Sequence, residues 1–185
     1  KEDRINLEQN LRWVLARSVK RSSAAKKPSV GLFVDAGAEH ASVVAITSLL
    51  ESRDITVETL LYTDVHKEGL QHLETFIVPA GNHRILRDTL GEDGQQALEE
   101  FIKSRKQYIG VSTGAYLAAK TVRWQQRTSE YPLKFFSGMA EGPLTDIAAW
   151  PAPAQVRLDL PAYGAGRGLS KRLLATCRYH GGPRF

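Results

Sequence analysis

The residues best suited to chemistry are Gly110-Val111-Ser112-Thr113-Gly114, between the apolar run 108–111 and a helix-forming run that begins at Thr113. The spacing G-x-S-x-G fits a strand-to-helix turn that lifts a serine hydroxyl above the carboxyl edge of a sheet. Its glycines have a steric reason: strand and helix approach closely only if the residues two before and two after the serine are small. In such a turn the Thr113 N–H stands at a helix N-terminus, where a developing negative charge is stabilised. A serine hydroxyl is a poor nucleophile unaided, so a base must take its proton. The competing reading of Ser112 is an unreactive small residue kept for fit.

His180 is the base candidate, because it stands where a late strand should end at the same crevice and histidine titrates near neutrality. The alternative is a loop histidine contacting backbone. His40, His66 and His72 fall in turns or on helix surfaces, and His83 is the other histidine near the crevice. Asp35, at the end of the first apolar run, either orients His180, hydrogen-bonds Ser112, or caps the helix that follows. Gly81 and Asn82 are candidates for the second oxyanion donor, since a glycine-type turn exposes backbone N–H groups; an ordinary tight turn is the alternative. Arg84 and Arg87 could meet a substrate carboxylate or simply be solvated. The catalytic set is therefore Ser112, His180 and Asp35, and the oxyanion or substrate set is Gly81, Asn82, Thr113 and Arg84. No His-x-x-x-His or His-Glu-x-x-His spacing suggests a metal. The turn at 35–38 lacks the G-x-G-x-x-G cradle of a dinucleotide, so no cofactor is expected.

These residues need strands to carry them. Val30-Gly-Leu-Phe-Val34 is an apolar run of buried-strand type, followed by a turn at 35–38 and a helix over about 40–52. Strands are expected at 55–62, 75–78 and 108–111, with a helix over 95–106 and another over 113–120. Strands alternating with helices imply crossovers, a largely parallel sheet and helices on both faces. Ligands bind such sheets outside the carboxyl ends of the strands, and the turns at 35–38, 79–82 and 112–114 all fall there. Beyond Lys120 the pattern changes: 135–143 reads as a strand or turn and then a loop over the sheet edge, 150–153 as a connector, 155–160 and 173–179 as strands, and 161–170 as loop.

Residues 4–20 form a helix candidate with Leu7, Leu11, Val14 and Leu15 on one face, suited to packing on its own domain or on a second copy of the chain. Residues 21–28 read as a solvated linker. The domains are thus 1–28, a basic amphipathic helix and linker, and 29–185, an α/β domain. The net charge of +5 sits entirely in residues 1–27, with eight Lys/Arg against three Asp/Glu, while the remainder balances at seventeen each. A domain-wide phosphate-binding stripe is therefore not expected, nor is nucleic-acid binding, and membrane-surface binding is a minor expectation. The single cysteine, Cys177, rules out an internal disulfide. Because the chain begins at Lys1 and not at Met, a removed leader stays open, and with it a cytoplasmic or a secreted location.

Several stretches together resemble the class I glutamine-amidotransferase-like superfamily, and within it the domain at the N-terminus of some biotin–protein ligases, which also occurs as stand-alone proteins. They are residues 30–37 as first strand and turn, Phe76-Ile-Val-Pro-Ala-Gly81 at the family's Pro-Gly-Gly loop, and Gly110-Val-Ser-Thr-Gly-Ala-Tyr116 at its Gly-x-Cys-x-Gly-Ala-Tyr turn. Phe135-Phe-Ser-Gly-Met-Ala-Glu-Gly-Pro143 is similar to Phe-Phe-Pro-Gly-x-x-x-Gly-Pro, and Tyr179-His-Gly-Gly182 to a Tyr-Asn-Gly-Gly end. The resemblance implies a three-layer, flavodoxin-like α/β fold and places Asp35 where some relatives carry an acidic residue. It has Ser112 in place of the usual cysteine, and no His-x-Glu follows that serine. It therefore implies a serine-type amide or peptide hydrolase, as in the serine-using peptidase E and cyanophycinase, or a catalytically silent domain that binds a small ligand or protein partner, rather than glutamine hydrolysis.

Overall fold

Four short strands form the central sheet, the inner two rich in Val, Leu, Ile and Phe: β1 (Val30–Phe33), β2 (Val57–Leu60), β3 (Thr75–Val78) and β4 (Gln107–Gly110). A computed structural model of the chain describes residues 1–18, 28–131, 133–160 and 173–185, the side chains of 158–160 and 173–175 excepted. The linker expected at 21–28 falls outside these residues except for Pro28, as do the expected loop at 161–170 and the last two residues of the expected first helix.

The four strands are parallel in the order β2-β1-β3-β4. Successive strands are therefore added in opposite senses on either side of the β1–β3 pair, β2 next to β1 and β4 next to β3. With right-handed crossovers, the helix after β1 and the helix after β3 must lie on opposite faces. These helices are α2 (His40–Glu51) and α4 (His83–Lys103); a short α3 (Lys67–Leu70) packs with α4, and α5 (Thr113–Ala118) follows β4. The result is a three-layer α/β domain. Phe33 and Phe76, from adjacent strands, meet at 6.5 Å between ring centres, and Phe76 meets Phe101 of α4 edge-on at 6.3 Å. Each such fully buried side chain contributes about 1.5–3 kcal/mol.

Three expectations are corrected. The helix expected over 95–106 begins twelve residues earlier, at His83, and carries a break at Gly91 (φ 60°) that hides its first half from a periodicity argument. The helix expected over 113–120 stops at Ala118, and Ala119–Trp124 is strand β5, paired antiparallel with β6 (Arg127–Glu130) and parallel with β7 (Phe136–Gly142). The strand expected at the start of 135–143 thus runs on through Gly142 as part of a second sheet, where a loop was expected to follow. A third, two-stranded sheet joins β8 (Ala154–Leu160) to β9 (Leu173–Tyr179).

The N-terminal helix α1 (Glu2–Ser18) packs on α2. Its inward face is not the leucine face: Leu11 and Leu15 are exposed, while Asn10 is fully buried and Trp13 and Val14 pack against the core. The reason is hydrogen bonding. Asn10 Nδ2 donates to the Ala38 carbonyl at 3.1 Å, its Oδ1 pairs with His40 Nδ1 at 2.8 Å, and the His40 N–H donates to Asn6 Oδ1 at 3.4 Å. Buried polar groups at the turn after β1 select a polar face of α1, because leaving them unpaired costs more than exposing two leucines.

Candidate functional site

Ser112 closes β4 with φ 51° and ψ −105°, a backbone conformation that L-residues rarely adopt. Holding a non-glycine residue there costs about 1–3 kcal/mol, which the surroundings must impose. They do so through the glycines. A Cβ on Gly110 would overlap the Gly114 backbone, and one on Gly114 would overlap the Val78 carbonyl of the neighbouring strand. Tyr108 donates its hydroxyl to the Gly114 carbonyl at 2.7 Å, and burial pushes that phenol far above its ordinary pKa, so it stays a neutral donor. Ser112 itself is half-buried, and its hydroxyl has no hydrogen-bond partner among the described residues.

Two N–H groups near the serine also have no partner among the described residues. Thr113 begins α5, so its N–H has no partner within the helix, while its Oγ1 donates to the Gly81 carbonyl at 2.7 Å. The turns after β1 and β3 are zipped together, Glu39 N–H to the Ala80 carbonyl and Asn82 N–H to the Gly37 carbonyl, both at 2.8 Å. This leaves the Gly81 N–H without a partner among the described residues. A side chain at Gly81 would collide with the Gly37 carbonyl. Of the two N–H groups expected from this turn, then, only that of Gly81 is free. Asn82 is the N-cap of α4, its Oδ1 accepting from the Arg84 and Ile85 N–H groups at 3.2 and 3.4 Å.

His180 follows β9 and is delivered to the same cleft by tyrosines. Tyr116 donates to the Gly181 carbonyl at 3.1 Å, and the Leu144 N–H donates to the Tyr179 hydroxyl at 2.6 Å. The His180 ring stacks on Trp150 at 5.3 Å, and its Nε2 lies 3.0 Å from the Pro151 carbonyl. A carbonyl only accepts, so Nε2 carries the hydrogen and, in the neutral ring, Nδ1 is the free acceptor. His180 is exposed and makes no hydrogen bond to Ser112. Asp35 is turned elsewhere: its two carboxylate oxygens accept the N–H groups of Ala36 (2.6 Å) and Tyr62 (2.9 Å). It neither orients His180 nor caps α2, whose N-cap is Glu39.

The cleft, of about 550 Å³, is lined by Ser112, Thr113, Gly81, Asn82 and His180 together, so five of the seven expected residues converge. Its walls are aromatic. Trp124 meets Tyr116 (5.6 Å), Trp150 (5.1 Å) and His83 (6.4 Å) between ring centres. His83 lines the cleft too; burial, and then Arg84 and Arg87, hold its pKa below the ordinary value, so it is neutral at pH 7. Its position directly after the turn at 79–82 is the sequence signal for it. Trp124, on an unexpected strand, had no such signal. Glu2, Asp3 and Asn6 of α1 also line it, as does Glu39, so among the described residues the part of the basic segment that reaches the cleft is acidic. Arg84 does not line this cleft. Among the described residues no cluster of His, Cys, Asp and Glu could hold a metal ion. Two His-x-Glu tripeptides do occur, His66-Lys67-Glu68 and His72-Leu73-Glu74, but His66 pairs with Glu68 at 3.2 Å and His72 with Glu58 at 2.6 Å, and neither tripeptide lines the cleft.

The chain shares its fold with a solved structure described as "Crystal structure of glutamine amidotransferase": 15% identity, TM-score 0.58, covering 80% of this chain and 69% of that one. At that identity the likeness concerns the fold alone. No curated protein matches the chain. Residues 30–147 match the family described as "Biotin-protein ligase, N terminal". That span takes in the central sheet, the turn at Ser112 and the second sheet, more than half of the chain, and the chain belongs to the biotin–protein ligase N-terminal family.

Proposed function

We propose that the chain is a serine-type hydrolase acting on an amide or small peptide. The observation that carries the reading is Ser112 itself: a strained serine with an unpartnered hydroxyl, at the head of a helix and beside two unpaired N–H groups, in a cleft that also holds a histidine. In the reaction, His180 Nδ1 takes the Ser112 proton as Oγ bonds to the carbonyl carbon. The Thr113 and Gly81 N–H groups hold the resulting oxyanion. The C–N bond then breaks, the leaving amine takes the proton from His180, and water, deprotonated by the same ring, hydrolyses the ester and restores the Ser112 hydroxyl.

A second reading, a silent domain that binds a ligand in the same cleft, is favoured by one observation: His180 and Ser112 are not hydrogen-bonded, and among the described residues no carboxylate pairs with the histidine. Labelling with a fluorophosphonate probe separates the two. The hydrolase reading expects stoichiometric modification that disappears in Ser112→Ala, together with turnover of amide probes. An unlabelled wild-type chain that is nonetheless stabilised by ligands would leave the silent reading.

A further inference from the structure

The arginines next to the crevice open a second, smaller cavity of about 90 Å³ behind the cleft, sharing His83 and Trp124 with it as a common wall. Arg84 and Arg87 reach it from the first turns of α4, and Arg127 from β6. Arg87 is half-neutralised: its Nε and Nη2 donate to Asp88 Oδ1 at 2.8 and 2.7 Å, and its guanidinium lies 5.9 Å from the centre of the Tyr131 ring. Arg84 and Arg127 form no ion pair or side-chain hydrogen bond with the described residues. Three arginines line a space the size of one small group, and Asp88, the partner of Arg87, is not among its lining residues. Tyr131, only 3% exposed, lines the same cavity with a hydroxyl that has no partner among the described residues. Burial raises its pKa, so that hydroxyl is a neutral donor.

Planar guanidinium forks match the two oxygens of a carboxylate, and the unpartnered Tyr131 hydroxyl lining the same cavity adds a donor to an oxyanion site. A cavity this small takes the charged group alone, so the rest of the ligand must extend past His83 into the larger cleft. We propose that this arginine pocket is a carboxylate-binding subsite of the cleft, and that the ligands it selects are amides carrying a carboxylate, such as an acidic peptide or a peptide C-terminus. What happens to the amide rests on the Ser112 reading; the binding does not.

N-acetylglycine and N-acetylglycinamide both contain an amide, and only the first carries a carboxylate. Titrated into the full chain and followed by tryptophan fluorescence, to which Trp124 contributes from the shared wall, N-acetylglycine should bind at least tenfold more tightly. The Arg84→Gln/Arg127→Gln double variant, both positions being exposed, should fold normally and lose that preference. A control double variant of equal charge at the far end of α4, Lys103→Gln/Arg105→Gln, should keep it. Equal binding of the two probes, survival of the preference in the first variant, or its loss in the control would overturn the subsite. Turnover is scored separately. Selective binding with no hydrolysis of acidic amides removes the hydrolase and leaves the subsite, whereas hydrolysis indifferent to the carboxylate removes the subsite and leaves the hydrolase.

Discussion

Asp35 and Ser112 stand at equivalent places, each just past the carboxyl end of a parallel strand and each before a turn into a helix. Their circumstances are opposite. Both oxygens of Asp35 are committed to backbone N–H groups, and the residue is buried. The Ser112 hydroxyl is uncommitted, its backbone is strained, and it opens onto a cleft. A polar group whose bonding capacity is spent within its own turn holds the fold. One kept unspent against a backbone cost is available to a ligand. Position at a strand end does not separate these roles; the hydrogen-bond inventory does.

The largest effect that would sharpen this contrast is on catalysis. His180→Ala should lower amide turnover by about 10²–10⁴-fold, the usual contribution of a general base, with partial recovery on adding imidazole and unchanged thermal stability. An unaltered rate would remove His180 and turn attention to the neutral His83. Asp35→Ala should act on stability instead. Losing the two hydrogen bonds to these part-buried N–H groups costs about 1–3 kcal/mol, a fall in Tm of roughly 2–12 °C for a domain of this size, with the rate per folded molecule little changed. A rate loss without a stability loss would erase the distinction between the two strand ends.

Ser112→Gly should do the reverse of Asp35→Ala. Glycine tolerates φ near 51°, so the variant should gain about 1 kcal/mol and melt about 2–4 °C higher while losing the nucleophile; Ser112→Ala should lose the nucleophile without that gain. Equal melting temperatures for the glycine and alanine variants would show that the turn stores no strain. The smallest effect concerns His83. Its folded pKa lies below the 6.5 of the free side chain, so as pH falls the unfolded chain takes up the proton first. The stability tied to a neutral His83 is complete above about pH 6.5 and is lost as pH drops toward the depressed folded value. Denaturant unfolding of His83→Gln against wild type across this window should show a flatter profile for the variant.

The centre of the sheet was readable because β1 and β3 are buried along almost their whole length and so appear as apolar runs; β3 has the boundaries the sequence suggests. The turn at Ser112 was readable because close strand–helix approach demands glycine at fixed positions. β5 and β6 were not: β6 is exposed at every residue, and β5 alternates only weakly, with Lys120 exposed between buried Ala119 and half-buried Thr121. Neither carries a distinctive period. The α1 face was misjudged because periodicity counts leucines and cannot see the Ala38 carbonyl or the His40 ring waiting for Asn10.

By itself, then, the amino-acid order determined the α/β architecture, the small-residue corner at Ser112 and the family, since each rests on local volume and hydrophobicity. The tertiary structure alone decided that the Asn82 N–H and both oxygens of Asp35 are spent, that the Gly81 and Thr113 N–H groups have no partner among the described residues, that Trp124 and His83 line two cavities, and that α1 brings acidic residues to the cleft. Hydrogen-bond partners lie tens of residues apart in the chain, and which polar group is left over follows only from how all the others are satisfied.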